Sequence, residues 1–401
     1  MSSFYGRGNS SFSSRSNSAQ PFRSNRGSRR GPQRSHIDPR KYVQTQLTPV
    51  VAEVHTIEHA FSDFGLDEKI IANITVQGYT IPTPIQDQAI LPLLDGRDVV
   101  GIANTGTGKT AAFLLPLIQK VLRDNTQGVL ILAPTRELAL QISEDFRGFA
   151  YDLPIGMMLA IGGTNIAGQI DRLKRSPHFV IGTPGRIKDL VQRNSFRPEQ
   201  YATVVLDEVD RMLDIGFRPD IQFLIGKMPR VRQSAFFTAT MTREIDEIMR
   251  SFLTDPIMIK VSMTSTSGRI HQDVVRVSPG ESKVDVLHNL LTQPEFEKVI
   301  VFGRTKHGIN TLEKNLVMRG VRVTSIHGNK NQNARERSMR DFKAGKVQVL
   351  LATDIAARGI DVDNVSHVIN YDEPQTFEDY THRIGRTGRA GKTGKALTFI
   401  S

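Results

Sequence analysis

Residues 103–110 read ANTGTGKT and residues 206–210 read LDEVD, and this pair of stretches decides the fold. In the first, small residues let the backbone wrap so that successive N–H groups point inward at phosphate oxygens. Thr105, Gly106, Thr107 and Gly108 form the cradle, Lys109 reaches the β- and γ-phosphates, and the Thr110 hydroxyl is placed to ligate Mg²⁺. The strict pattern opens on Gly, where this chain has Ala103. The apolar run from Asp98 to Ala103 predicts a buried strand before the loop. Ala111–Leu122 predicts a helix after it, with an N-terminus that favours anions. In the second stretch an apolar strand ends in acids. Asp207 is suited to hold the ion, usually through water, and Glu208 to orient or deprotonate an attacking water. Alone, Asp-Glu after a strand is an ordinary solvated strand end; beside a phosphate loop it completes a triphosphate site.

The chain has 401 residues, 39% hydrophobic and 23% charged, which fits two globular domains. No apolar run approaches the roughly 18 residues of a membrane span. Cys is absent, which excludes disulfides and thiolate metal sites and allows a reducing, cytoplasmic setting. The net charge of +11 is uneven: residues 1–47 carry nine Arg/Lys against Asp38, a local +8 that leaves +3 for the remainder. This Ser/Gly/Arg-rich tail buries too little apolar surface to offset chain entropy and is expected to be disordered. Three readings compete for it: a solvated extension, an organelle transit peptide, and a sequence-blind tether for an RNA backbone. The first 37 residues lack acids, as a transit peptide does, but apolar residues are sparse and Gly and Pro frequent, so the tether is preferred.

From about Phe61 to Val261, short β-branched runs (129–133, 155–161, 179–182, 204–206, 234–238, 257–261) alternate with helical stretches such as Arg136–Phe149 and Gly185–Arg193. That alternation predicts a mainly parallel sheet covered on both faces. Polar residues 263–269 are expected to link two domains, 57–262 and 270–401. Beyond them the alternation restarts at 274–277, 299–302, 322–326, 348–351, 367–369 and 396–400, without a second Gly-Lys-Thr loop. Near the end, His382-Arg-Ile-Gly-Arg386-Thr-Gly-Arg389 spaces guanidinium groups so that several can face one anion. A charge run is usually a solvated face; a guanidinium delivered across a cleft to a γ-phosphate is worth roughly 10³ to 10⁵ in rate.

Over about residues 57–401 the chain resembles the DEAD-box RNA helicases of superfamily 2, motif by motif and in order. The resemblance implies an α/β fold of two tandem RecA-like domains, ATP and Mg²⁺ as ligands, and RNA as partner. By it, Phe61 stacks on adenine and Gln86, closing Gly78-Tyr-Thr-Ile-Pro-Thr-Pro-Ile-Gln86, bonds the base edge. Thr135 and Arg136 (in Pro134–Ala139), Gly163, and Thr183, Gly185 and Arg186 grip the RNA backbone, whose phosphates carry no base information. In the second domain Arg304, Gln332, Arg335, Thr353, Arg358 and Gly359 hold RNA, and Asp354 serves the ribose side of ATP. Thr238 and Thr240 relay between hydrolysis and RNA grip, His382 senses that relay, and Arg386 and Arg389 are the fingers.

Two residues depart from the family pattern: Val209 stands where Ala is usual, and Thr238 where Ser is usual. Both bear on coupling more than on chemistry. The sister DEAH group lacks the adenine-reading Gln segment and begins its last motif with Gln rather than His382. The reading is therefore an ATP-dependent RNA helicase acting as a monomer without a membrane. An ATP-gated RNA clamp with little turnover and a DNA-unwinding motor are its rivals.

Overall fold

A computed structural model describes residues 42–43, 55–104, 106–261, 270–357, 362, 364–388 and 392–400. The expected linker 263–269, most of the tail, Thr105, Arg358, Gly359 and Arg389 lie outside the described residues.

The first lobe has seven strands: β1 (Val99–Ile102), β2 (Val129–Leu132), β3 (Met157–Ala160), β4 (Phe179–Gly182), β5 (Thr203–Leu206), β6 (Gln233–Thr238) and β7 (Ile257–Lys260). They form one parallel sheet in the order β3-β4-β2-β5-β6-β1-β7. The second lobe has β8 (Ile270–Arg276), β9 (Val299–Phe302), β10 (Val323–Ile326), β11 (Val349–Ala352), β12 (His367–Asn370) and β13 (Gly394–Ile400). These are also all parallel, in the order β10-β11-β9-β12-β13-β8. The α/β expectation of two parallel-sheet lobes holds.

Burial explains the sequence patterns. Interior strands β2, β4, β5 and β6 are buried at every position, because helices cover both faces of a parallel sheet. Edge strands β3 and β7 are only partly buried. Consecutive residues serve opposite faces: Phe236 belongs to the core cluster around Leu206 and Met212, and Phe237 to the one around Phe113 and Phe149. Each such fully buried ring contributes about 1.5–3 kcal/mol. Gly101 makes room for this packing, since a Cβ there would lie 2.5 Å from the Phe237 ring.

The strand order positions the site. β6 lies between β1 and β5, pairing Thr238 with Ile102 and Phe236 with Leu206. The phosphate loop after β1, the residues after β6 and the acids after β5 therefore emerge side by side at the carboxyl ends of the strands, where open α/β sheets bind ligands. Among the described residues no helix is long and apolar enough to cross a membrane.

His367 on β12 gives the second lobe a pH dependence. Its ring stacks on Phe296 with centroids 3.9 Å apart. Burial, aided by Lys395 and opposed by Glu295, holds its pKa down from 6.5 to about 4. A depressed folded-state pKa stabilises the fold above 6.5, and that contribution is lost as pH falls through about 4. We expect the melting temperature of the second lobe to fall across this window. His367→Phe, which keeps the stack and removes the titration, should flatten the profile; an equally steep profile in that variant rules the residue out.

Candidate active site

The loop between β1 and the helix Lys109–Arg123 is held from beneath. Gly108, the N-cap of that helix, has φ +91°, and a Cβ on it would stand 2.4 Å from Gln86 Nε2. Gln86 is buried and both its polar atoms are bonded: its Nε2 donates to the Gly108 carbonyl at 3.1 Å, and its Oε1 accepts from the Thr83 N–H at 2.9 Å, which leaves one N–H and one lone pair of the amide. The second bond is half of a capping box on the helix Pro84–Leu94. Phe61 is also buried, edge-on to Tyr79 at 6.3 Å. Tyr79 lines a cavity of about 280 Å³ together with Gly106, Gly108, Lys109, Thr110, Asp207 and Glu208.

Inside this cavity the Lys109 ammonium is buried without a hydrogen bond among the described residues, 3.9 Å from Asp207 Oδ1. Burial pushes the Asp207 carboxyl up from 3.8 to about 6; Lys109 opposes this, and Glu208 and Asp210 add to it. Glu208 takes the left-handed conformation at φ +53°, which a non-glycine residue adopts at a cost of roughly 1–3 kcal/mol. That bend turns β5 into the helix Val209–Asp214 and leaves Glu208 on the cavity wall. Asp210 Oδ2 accepts from the N–H groups of Ala239 and Thr240 at 3.0 and 3.1 Å and from the Thr240 hydroxyl at 3.3 Å. Burial raises the Asp210 pKa, but Lys109, the N–H and charge of Arg211, and the Thr240 N–H together bring it below its ordinary value. Thr238 donates from Oγ1 to the Thr240 carbonyl at 2.8 Å, which joins the two relay residues. Val209 is fully buried in the cluster of Leu206 and Met212, so its added methyls pack in the core.

A second concavity, about 540 Å³, runs over both lobes. Thr135, Arg136, Gly162, Thr183, Gly185 and Arg186 line it from the first lobe; Gly328, Lys330 and Arg335 line it from the second. Thr135 and Thr183 cap the helices Arg136–Phe149 and Pro184–Gln192, so two helix N-termini open into it, an arrangement that suits phosphate. The Arg136 guanidinium lies over Gly163, where a Cβ would meet it. Gln332 is buried, donates to Glu336 Oε1 at 3.1 Å and lines an adjoining cavity with Glu137 and Arg335. Arg304 and Thr353 are not among the groove's lining residues. Lys330, Ile215 and Phe217 line it without having been singled out in the sequence; two of them are apolar and carry no motif signal, and Lys330 is marked only by following His327-Gly328.

Two of the places where described residues of the lobes meet concern the site. Arg335 Nη2 lies 2.7 Å from Glu137 Oε1, with both side chains close to buried. Burial raises the Glu137 carboxyl, and Arg335 opposes it. At the second place Arg211, next after Asp210, lines a cleft with Asp354, His382, Arg383 and Arg386. The structure brings His382 and Arg386 to Arg211 and not to the walls of the Lys109 cavity. Asp354 is gripped by Arg383, with Nε–Oδ1 at 2.6 Å and Nη2–Oδ2 at 2.8 Å. Arg383 also donates to Asn370 Oδ1 and the Asp372 carbonyl. This second-lobe hub sits inside the recognised basic run, where its buried role has no sequence signal.

The profile described as DEAD/DEAH box helicase matches residues 83–248, and that described as helicase conserved C-terminal domain matches 282–391. The chain is 46% identical to the ATP-dependent RNA helicase CshA of Listeria monocytogenes, covering 85% of this chain and 66% of that one. It is 45% identical to the RNA helicase CrhR of Synechocystis, covering 86% and 70%. Among solved structures it is similar to S. cerevisiae Dbp5 bound to RNA and ADP BeF3, with 30% identity, a TM-score of 0.75, and 85% and 89% of the two chains covered.

Removing one partner of a near-buried ion pair leaves the other charge uncompensated, at about 3–5 kcal/mol. Glu137→Gln and Arg335→Gln should each lower the docked population of the lobes, read from distance distributions between labels on the two lobes with ligands bound. The double substitution should lower it by less than the sum of the two. Strict additivity would show that the pair does not hold the lobes together.

Proposed function

This chain belongs to the DEAD-box RNA helicases of superfamily 2, and from that premise we propose that it couples ATP hydrolysis to binding RNA and opening short duplexes. The helix Arg136–Phe149 carries the reading. Arg136 and Glu137 at its start line the groove, while Leu138, Gln141, Glu144 and Asp145 further along line the nucleotide cavity. One rigid element borders both sites, and Glu137 on it is ion-paired across the lobes.

ATP is the substrate in this reading. The Lys109 ammonium, which makes no hydrogen bond among the described residues, the Gly108 turn that no side chain can enter, and the hard oxygens of Thr110 and Asp207 suit a magnesium nucleotide. Magnesium held by Thr110 and Asp207 would neutralise charge on the β- and γ-phosphates. The loop from Thr105 to Gly108 cradles phosphate, and Glu208 orients or deprotonates water. Phe61 and Gln86 select adenine, and the Gln86 bond to Gly108 passes that selection to the loop. Asp354 serves the ribose side, and His382, Arg386 and Arg389 complete the site when the lobes close. Asp210, Thr238 and Thr240 link hydrolysis to the groove.

RNA is held by its backbone, through Thr135, Arg136, Gly163, Thr183, Gly185 and Arg186 on one lobe and Arg304, Gln332, Arg335, Thr353, Arg358 and Gly359 on the other. The basic tail adds a weak electrostatic tether. The protein acts as a cytoplasmic monomer. The curated relatives extend beyond the matched region, the chain spanning 66% and 70% of their lengths.

Glu208→Gln should lower RNA-stimulated ATP turnover by on the order of 10²–10⁴-fold while leaving nucleotide affinity intact. Wild-type protein with saturating RNA should turn over many times and respond less to matched DNA. A single turnover identifies the clamp, and equal stimulation by DNA the other motor. Because the two ligands bias one closure, a non-hydrolysable ATP analogue and RNA must tighten each other by the same factor, about 5–150-fold. Unchanged RNA affinity in the presence of the analogue would falsify the coupling.

A further inference from the structure

We propose that Tyr42, which lies ahead of the first lobe in sequence, is an aromatic anchor on the second lobe and a positioning residue for the helix Phe377–Ile384. Tyr42 is fully buried, and its ring lies 4.8 Å from that of Tyr380, tilted by 53°. It shares an apolar cluster with Ile270, Tyr380, Ile384, Ala396 and Ile400. All five belong to the second lobe, on the edge strand β8, its neighbour β13 and the helix Phe377–Ile384. A residue more than two hundred positions upstream thus completes the seat of this helix.

The position matters because of what the helix carries. His382 and Arg383 lie on it, Arg386 follows it, and Arg383 holds Asp354. A helix of eight residues is too short to hold its own geometry and depends on packing. Removing the Tyr42 ring would open a void beneath Tyr380 and Ile384, and the helix would settle into it. The ring does this work and the hydroxyl does not. Among the described residues the Tyr42 hydroxyl makes no hydrogen bond, whereas the Tyr380 hydroxyl donates to Gln272 Oε1 at 2.8 Å. Burial, with Glu373 adding and Arg383 opposing, pushes the Tyr42 phenol up to about 12, so it stays neutral across the working range. The next described segment is fixed to the first lobe: Asp87, adjacent to Gln86, accepts from His55 Nε2 at 2.7 Å and His59 Nδ1 at 2.8 Å.

Docking is tested first on the unaltered chain, without nucleotide or RNA. In tyrosine footprinting Tyr42 should be protected as Tyr380 is, while Tyr151, which is 72% exposed, reacts; modification of Tyr42 as fast as Tyr151 overturns the anchor. Tyr42→Ala should raise hydrogen exchange in 377–384 and in β8 while leaving the first lobe unchanged, and Tyr42→Phe should restore protection. The positioning role rests on the ATPase reading above. There, Tyr42→Ala should lower kcat severalfold at unchanged KM for ATP, with rescue by Tyr42→Phe. Protection of Tyr42 combined with an unchanged kcat in Tyr42→Ala would overturn the positioning role. Absence of any ATPase activity in the wild type would instead refute the functional reading and leave the docking result standing.

Discussion

A buried ammonium must be balanced, and among the described residues Lys109 is balanced by nearby charge without a hydrogen bond. Asp207 stands 3.9 Å away, and Asp210 is close enough for Lys109 to lower its pKa. In a low-dielectric pocket this arrangement is stable only if the carboxylates are held in place. The sheet does that: β1, β6 and β5 are adjacent, so the loop, the relay and the acids leave neighbouring strand ends. The Asp207 carboxyl, raised chiefly by burial, and the left-handed backbone of Glu208 both mark a site the fold holds at a cost, as functional sites often are.

Communication with the groove follows from shared parts. Asp210 begins beside the acids and ends on the backbone of Ala239 and Thr240, so moving one moves the other. The helix Arg136–Phe149 divides the nucleotide cavity from the groove, and Glu137 pins it to Arg335 on the second lobe. The inter-lobe contact thus sits between the two ligand sites.

Much was readable in one dimension. Parallel strands buried on both faces are continuous apolar runs, so twelve of the thirteen described strands fall at or within about two residues of the expected runs, while β8 begins at Ile270, about four residues ahead of the expected 274–277. The phosphate loop is local chemistry, since glycine conformation and a following helix fix its shape over eight residues. Side-chain partners were not readable in this way. The Thr83-Pro-Ile-Gln86 spacing is that of a capping box, but nothing in sequence says that the Gln86 amide also grips Gly108, and nothing marks Arg383 as the residue that holds Asp354. Tyr42 has no motif at all, and its seat is assembled from residues 270 to 400.

The amino-acid order by itself determined the strand–helix alternation, the Gly-Lys-Thr loop and the acids at a strand end, because each depends on neighbours within a few residues. Tertiary structure alone decided that β6 separates loop from acids, that Glu137 meets Arg335, and that His382 and Arg386 face Arg211. Those pairings join residues many positions apart, and which of the available opposite charges or apolar surfaces meet is set by how the sheets and helices pack.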